Sequence, residues 1–312
     1  MTRYGFEGRV AVVTGAGRGI GRAYARLLAA RGASVVVNDL GGSTEGVGTD
    51  PAPASAVAAE ITDAGGAACA DTHDVATAAG AEALVDRAVR ELGHLDILIN
   101  NAGIVRWAGF PDADEDNLSS HLAVHVGGSF HTTRAAWSHM VERGYGRIVM
   151  TTSTGMLGLP NNLSYATAKG GVIGLARSLA TAGAVHGIKV NLIAPAALTR
   201  MAGAQRPPGG EADDASNPMS PELVAPMAAF LAHEACPVTG EIYVAGAGRF
   251  ARMFIAVTEG YVHAPDTPPT VEDVAENWPL INDEERATIP ADLTSWSAGF
   301  LAHQRADRPG AT

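Results

Sequence analysis

The chain has 312 residues, with 22 Lys or Arg against 33 Asp or Glu, a formal net charge of −11 and a pI near 5.3. That balance argues against nucleic acid or an anionic membrane as the main partner, although a local basic patch could still hold an anionic ligand. Two cysteines, Cys69 and Cys236, are too few for a disulfide framework or a thiolate metal site, and no apolar run approaches the ~18 residues of a membrane span.

The opening MTRYGFEGRV has no apolar leader segment, and the closing RPGAT is not a peroxisomal address, so a reducing, cytoplasmic setting is expected. Residues 9–14 (RVAVVT) form a short β-branched run that ends in glycines. Residues 19–31 then place Ile20, Tyr24, Leu27 and Leu28 at helical spacing. Residues 34–38 (SVVVN) read as a buried strand, 54–64 as a helix stopped by Gly65-Gly66, and 67–72 as a weak strand. A helix follows over 77–92, closed by Gly93, and LDILIN at 95–100 is a strand. A single long helix is expected over 114–143, opened by the acidic turn Asp112, Asp114, Glu115, Asp116. Strand 147–152, helix 163–186 and strand 188–194 complete the main alternation. Continuous apolar strands alternating with helices predict an α/β fold with a doubly wound parallel sheet covered on both faces.

Residues 203–221 are rich in Pro, Gly, Asp and Ser and read as a long substrate loop. A helix over 222–233 and a strand over 241–245 follow. The expected organisation is one domain over 1–250, with an extension over 251–312. That tail carries two short helices, near 271–278 and 291–303, and packs on the same domain through Trp278, Trp296 and Phe300.

Three motifs carry chemistry. Thr14-Gly15-Ala16-Gly17-Arg18-Gly19-Ile20-Gly21 lies between the first strand and first helix, where glycines let the backbone approach a pyrophosphate set against the helix N-terminus. Asp39 ends the second strand, where a carboxylate accepts the adenosine ribose hydroxyls and repels a 2′-phosphate. This favours NAD, while Arg18 pulls toward NADP. Asn100-Asn101-Ala102-Gly103 ends the fourth strand, and Tyr165 and Lys169 stand i and i+4 on one helical face. A lysine ammonium there, with a nicotinamide's positive charge, can lower the phenol from ~10 toward neutrality and make it a usable acid or base.

Together these motifs resemble the short-chain dehydrogenase/reductase family over residues 7–250. The resemblance implies a Rossmann fold of three α/β/α layers with Tyr165 and Lys169 catalytic. Lys169 would also hold the nicotinamide ribose. It further implies a catalytic serine after the fifth strand. Counted from the strand this is Ser153, the preferred assignment; counted back from Tyr165 it is Thr152. Asp74 and Val75 beyond the third strand, Asn101, Ala102 and Gly103, and Pro195 and Thr199 after the sixth strand are implied cofactor contacts. The family's helix asparagine is replaced by His125, which could hold a water relay or merely fill a semi-buried position. His121 and His125 are spaced like a zinc pair, but no third ligand is evident and no metal is expected.

Further strings, including Asn38-Asp39-Leu40-Gly41-Gly42 and Thr133-Arg134-Ala135-Ala136-Trp137, are similar to the (3R)-hydroxyacyl-CoA dehydrogenase branch found in type 2 peroxisomal multifunctional enzymes. That implies an acyl-CoA substrate, for which Arg106, Arg200, Arg206, Arg249 and Arg252 are candidate phosphate contacts. It also implies a homodimer built on the helices at 114–143 and 163–186 through Ala135, Ala136, Gly171, Gly174 and Ala176. A hydroxysteroid or other secondary alcohol, and a non-catalytic NAD-binding protein, remain the alternatives.

Overall fold

The computed structural model describes residues 4–202, 217–264 and 266–303. Residues 4–252 and 253–303 form two compact units. The first is an α/β unit. Strands β1 (Val10–Thr14), β2 (Ser34–Asn38), β3 (Ala67–Asp71), β4 (Ile97–Asn100), β5 (Gly146–Thr151), β6 (Ile188–Ala196), β7 (Ile242–Gly246) and β8 (Arg249–Met253) form one sheet in the order 3-2-1-4-5-6-7-8. β1 to β7 pair in parallel, in registers such as Val12 opposite both Val36 and Leu98. β1, β4 and β5 are buried along their whole length, which is why their sequences run apolar without alternation.

Helices α1 (Gly19–Ala30), α2 (Ala52–Asp63), α3 (Ala78–Leu92), α4 (Glu115–His121), α5 (Gly128–Arg143), α6 (Leu163–Gly183) and α7 (Ala225–Ala232) cross between the strands. Their ends follow local chemistry. Thr77 caps α3 by accepting from the Gly80 N–H, and Gly93 stops it at φ 91°. Asp114 caps α4 in the same way through the Asn117 N–H. Strand order reverses between β1 and β4, and the loops leaving these two strands open a crevice at their C-terminal ends.

Three expectations are corrected. The helix over 114–143 is not one regular α-helix, because a π-helical stretch, Leu122–Gly127, separates α4 from α5. The wide turn brings His121 and His125 into one stack, with ring centroids 6.0 Å apart. Second, β8 is an added edge strand. Its side chains are mostly exposed, so little apolar pattern marks it. Third, Ala136 and Ala176 are fully buried in their own core and cannot face a partner, whereas Gly171 and Gly174 are exposed.

The second unit contains α8 (Val271–Glu276), α9 (Trp278–Ile281) and α10 (Leu293–Phe300). Thr270 with Asp273 and Asp292 with Ser295 form capping boxes at α8 and α10. An antiparallel bridge joins Val257 to Thr288, and Trp296 stacks on Phe300 at 4.8 Å. Trp278 and Phe300 are more than half exposed.

Candidate active site

The crevice at the ends of β1 and β4 is a cleft of about 1250 Å³. Of the expected cofactor contacts, Gly15, Arg18, Gly19, Ile20, Gly21, Asp39, Asp74, Val75, Asn101, Ala102, Gly103 and Thr199 line it. Gly15 adopts φ +62°, and a Cβ there would stand 2.8 Å from the Ala102 Cα, so the two loops meet only because this residue has no side chain. Gly19 adopts φ +53° and opens α1, which has neither a side-chain cap nor an acid in its first turn. Its first N–H groups and the positive end of its dipole are therefore left for an anion.

Thr14 ties the glycine loop to the β4 loop. Its hydroxyl accepts from the N–H groups of Asn101 and Ala102, both at 3.0 Å, and the Asn101 amide donates to the carbonyls of Thr14 and Gly15. Asn101 thus braces the cradle wall through its side chain. Asp39 accepts from the Gly17 N–H at 2.8 Å and the Gly41 N–H at 2.7 Å, one on each oxygen. The second lone pair of each oxygen is free for a hydroxyl donor. Uncapped N–H groups, a cradle that side chains would fill and a carboxylate at its far end fit a dinucleotide.

Pro195 does not line this cleft. It lies inside β6, paired in register with Ala245. Tyr165 and Lys169 are not among the residues lining the cleft; they cluster with Ser153 and His125 beside it, where a Cβ on the lining residue Gly103 would stand 2.4 Å from the His125 ring. β5 ends at Thr151, Ser153 caps a 3₁₀ turn over Thr154–Leu157, and Tyr165 sits in the first turn of α6. Thr152 is fully buried, and its hydroxyl donates to the Lys169 carbonyl at 2.8 Å. The Ser153 oxygen instead accepts from the Gly155 N–H at 3.0 Å and faces the Tyr165 phenol.

Lys169 is buried, with its Nζ 2.8 Å from the Thr151 carbonyl and 5.6 Å from the centre of the Tyr165 ring. Burial brings its pKa down to about 7. Burial pushes the Tyr165 phenol up, and hydrogen bonding from Ser153 opposes this. In the protein without its cofactor, burial outweighs the Ser153 hydrogen bond and the phenol stands above its ordinary value.

His125 stands edge-on to Tyr165, with centroids 5.4 Å apart, and its Nε2 lies 2.9 Å from the Ile104 carbonyl. Its Nδ1 is buried without a partner among the described residues, and burial holds its pKa well below the usual histidine value. Nε2 is thus occupied by backbone, and any relay would have to run through Nδ1. His121 engages both ring nitrogens, with Nδ1 at 2.7 Å from the Asn117 carbonyl and Nε2 accepting from the Arg106 N–H at 3.2 Å. The i, i+4 spacing of the two histidines was the signal that could have placed His121 beside Tyr165 as well.

The candidate CoA arginines disperse. Arg106 bonds the Glu45 carbonyl and Asp116, and Arg252 makes two bonds to Glu241 at 2.7 and 2.8 Å, so both are occupied. Arg200 lines the nucleotide cleft, Arg249 is exposed and Arg206 lies outside the described residues.

Comparison with known proteins agrees with this geometry. Residues 9–208 match the short chain dehydrogenase family. A short-chain type dehydrogenase/reductase of Mycobacterium tuberculosis is 43% identical over 286 residues, which is 91% of this chain and 98% of the relative. The structure of the full-length peroxisomal multifunctional enzyme type 2 from Drosophila melanogaster superposes with a TM-score of 0.79 at 33% identity. It covers 97% of this chain, which spans only half of that enzyme. A 7α-hydroxysteroid dehydrogenase complexed with NADH and 7-oxo glycochenodeoxycholic acid gives a TM-score of 0.68 at 31% identity, over 78% of this chain and 95% of that one. Cradle, sheet order and relatives lead to one conclusion: the chain belongs to the short chain dehydrogenase family and is an oxidoreductase.

Proposed function

We propose that the protein is an NAD-dependent dehydrogenase that oxidises a secondary alcohol to a ketone, with a (3R)-3-hydroxyacyl-CoA as its substrate. The observation that carries the reading is the cluster of Ser153 facing Tyr165, with Lys169 buried one helical turn beyond. Residues Gly15 to Gly21, Asp39, Asp74, Val75, Ala102, Gly103 and Thr199 would hold the dinucleotide, and Pro195 would act only through the strand that ends beside it. When bound, the cofactor supplies a hydride acceptor and a positively charged ring.

Ser153 donates to the substrate oxygen and fixes it beside the phenol. Tyr165 takes the hydroxyl proton, a task that needs the phenolate. Lys169, when protonated, favours that phenolate from within the same buried cluster. His125, neutral through burial, braces the tyrosine ring edge-on. Thr152 is already committed to the Lys169 carbonyl, which favours Ser153 for the catalytic hydroxyl.

The family likeness and the resemblance to the multifunctional enzyme support the acyl-CoA substrate, whereas the hydroxysteroid dehydrogenase neighbour favours a steroid alcohol as the second reading. We further read the protein as a cytoplasmic homodimer contacting its mate through the exposed faces of α5 and α6, and residues 251–312 as a C-terminal extension. No helix among the described residues is long and apolar enough to cross a membrane.

The test is turnover with NAD of a (3R)-hydroxyacyl-CoA, its pantetheine fragment and a 7α-hydroxysteroid. The CoA thioester should be used best. NAD should bind at least about tenfold tighter than NADP, because Asp39 opposes a 2′-phosphate. Equal use of thioester and fragment would remove the CoA reading, and no turnover of any alcohol would leave only a binding protein.

A further inference from the structure

Three arginines, Arg18, Arg22 and Arg200, line the nucleotide cleft. Arg22 is held by Glu60 at 2.8 Å. Among the described residues Arg18 reaches only a backbone carbonyl, that of Gly42, at 3.4 Å. Arg200 makes no hydrogen bond or ion pair within the described residues, and three influences act on its charge. Partial desolvation disfavours it, the charge of Arg18 disfavours it further and Asp39 alone opposes them. Asp39 is itself shared with two backbone N–H groups. Two guanidinium groups thus repel each other in one cleft, and of its carboxylates only that of Asp39 acts on Arg200.

The chain path places this pair over the helix that receives phosphate. The Thr199 methyl lies 3.7 Å from where a Cβ of Gly19 would stand, so the β6 loop rests on the first residue of α1. Arg200 is the next residue and opens a 3₁₀ turn there. Acids on the same wall are already engaged, Glu60 by Arg22 and Glu222 by the Ser220 hydroxyl. A planar guanidinium suits the paired oxygens of a phosphate better than any single carbonyl does.

We propose that Arg200, together with Arg18, clamps a phosphate of the dinucleotide across the N-terminus of α1. Arg200 is thereby a cofactor-binding residue and not a contact for the substrate's CoA. The inference rests on the reading of this cleft as a dinucleotide site. The phosphate is either the pyrophosphate, common to NAD and NADP, or the 2′-phosphate, present in NADP alone.

The experiment is direct calorimetric binding of NAD and of NADP to the full chain, unmodified and as Arg200→Gln, Arg200→Lys and the exposed control Arg90→Gln. Thermal melts confirm folding of each. Arg200→Gln should weaken binding about tenfold and flatten its salt dependence, as expected for one lost charge-assisted phosphate contact. Arg200→Lys should recover part of the loss, and Arg90→Gln should lose nothing. An equal loss for both dinucleotides identifies the pyrophosphate, and a loss for NADP alone identifies the 2′-phosphate; either supports the clamp. Unchanged affinity for both in Arg200→Gln, with the unmodified protein binding well, overturns it. If the unmodified protein binds neither dinucleotide, the cofactor reading itself falls and the clamp with it.

Discussion

Thr152→Val and Ser153→Ala should separate a structural hydroxyl from a catalytic one, although the two residues are adjacent. Thr152 is fully buried and donates one hydrogen bond, 2.8 Å long, to the Lys169 carbonyl. Valine keeps the shape and removes that bond, while helix geometry leaves the carbonyl its own N–H partner one turn on. The cost is about 1–1.5 kcal/mol of stability, which lowers the melting temperature by about 2–6 °C in a domain of this size. Turnover should stay near that of the unmodified protein. Ser153→Ala removes the acceptor of the Gly155 N–H, a cap worth about 1 kcal/mol, so its melt also drops by a few degrees. Its turnover, however, should fall by about 10²–10³, the loss expected when a donor aimed at a reacting oxygen is deleted. Steady-state kinetics beside thermal melts and NAD binding read out both variants. If Thr152→Val lost a hundredfold in turnover with melt and NAD binding intact, or if Ser153→Ala kept full activity, the strand-end geometry would not be the guide to the catalytic hydroxyl.

Two other outcomes test the energetics and the assembly. Burial brings Lys169 from 10.5 to about 7, so between those values the unfolded chain binds a proton that the native state lacks. The unmodified protein should therefore gain stability as pH rises through this window, by about 1.4 kcal/mol per pH unit at its middle, and Lys169→Met should lack that gain. Urea unfolding near neutral pH and about two units higher measures this, and an identical pH response in both proteins would contradict a buried lysine of low pKa. On α6, Gly174 is exposed and a Cβ there meets open space, so Gly174→Glu should fold normally yet convert the proposed dimer to a monomer in light scattering. A monomeric unmodified protein, or a variant still dimeric, would move the interface elsewhere.

Much of the architecture was determined by the sequence alone. β1, β2 and β4 are nearly continuous apolar runs, and β5 and β6 carry apolar runs over 148–150 and 192–194, because both faces of the central sheet are covered, and a pattern that needs no partner to be read survives in the linear chain. The glycine loop, Asp39 and the Tyr165–Lys169 pair were legible for a similar reason: their chemistry lies in spacings of a few residues.

Tertiary structure decided what depends on side-chain direction and distant partners. Thr152 and Ser153 follow β5 as neighbours, yet the hydroxyl of the first is spent on the Lys169 carbonyl and that of the second faces the Tyr165 phenol. Ala136 and Ala176 look like contact-face residues in a string of small side chains, yet helix rotation points them into the core. Arg106 reads as a free cation until the chain folds back and sets it against the Glu45 carbonyl, 61 residues away. Arg200 follows the sixth strand, where a substrate contact is the natural reading, but the parallel sheet carries that strand's end to the N-terminus of α1. β8 left no mark in the sequence because an edge strand buries too little to need an apolar pattern. Local periodicity is written into the order of residues. Which charge meets which, and which hydroxyl faces the reacting phenol, is set only when elements far apart in sequence close on one another.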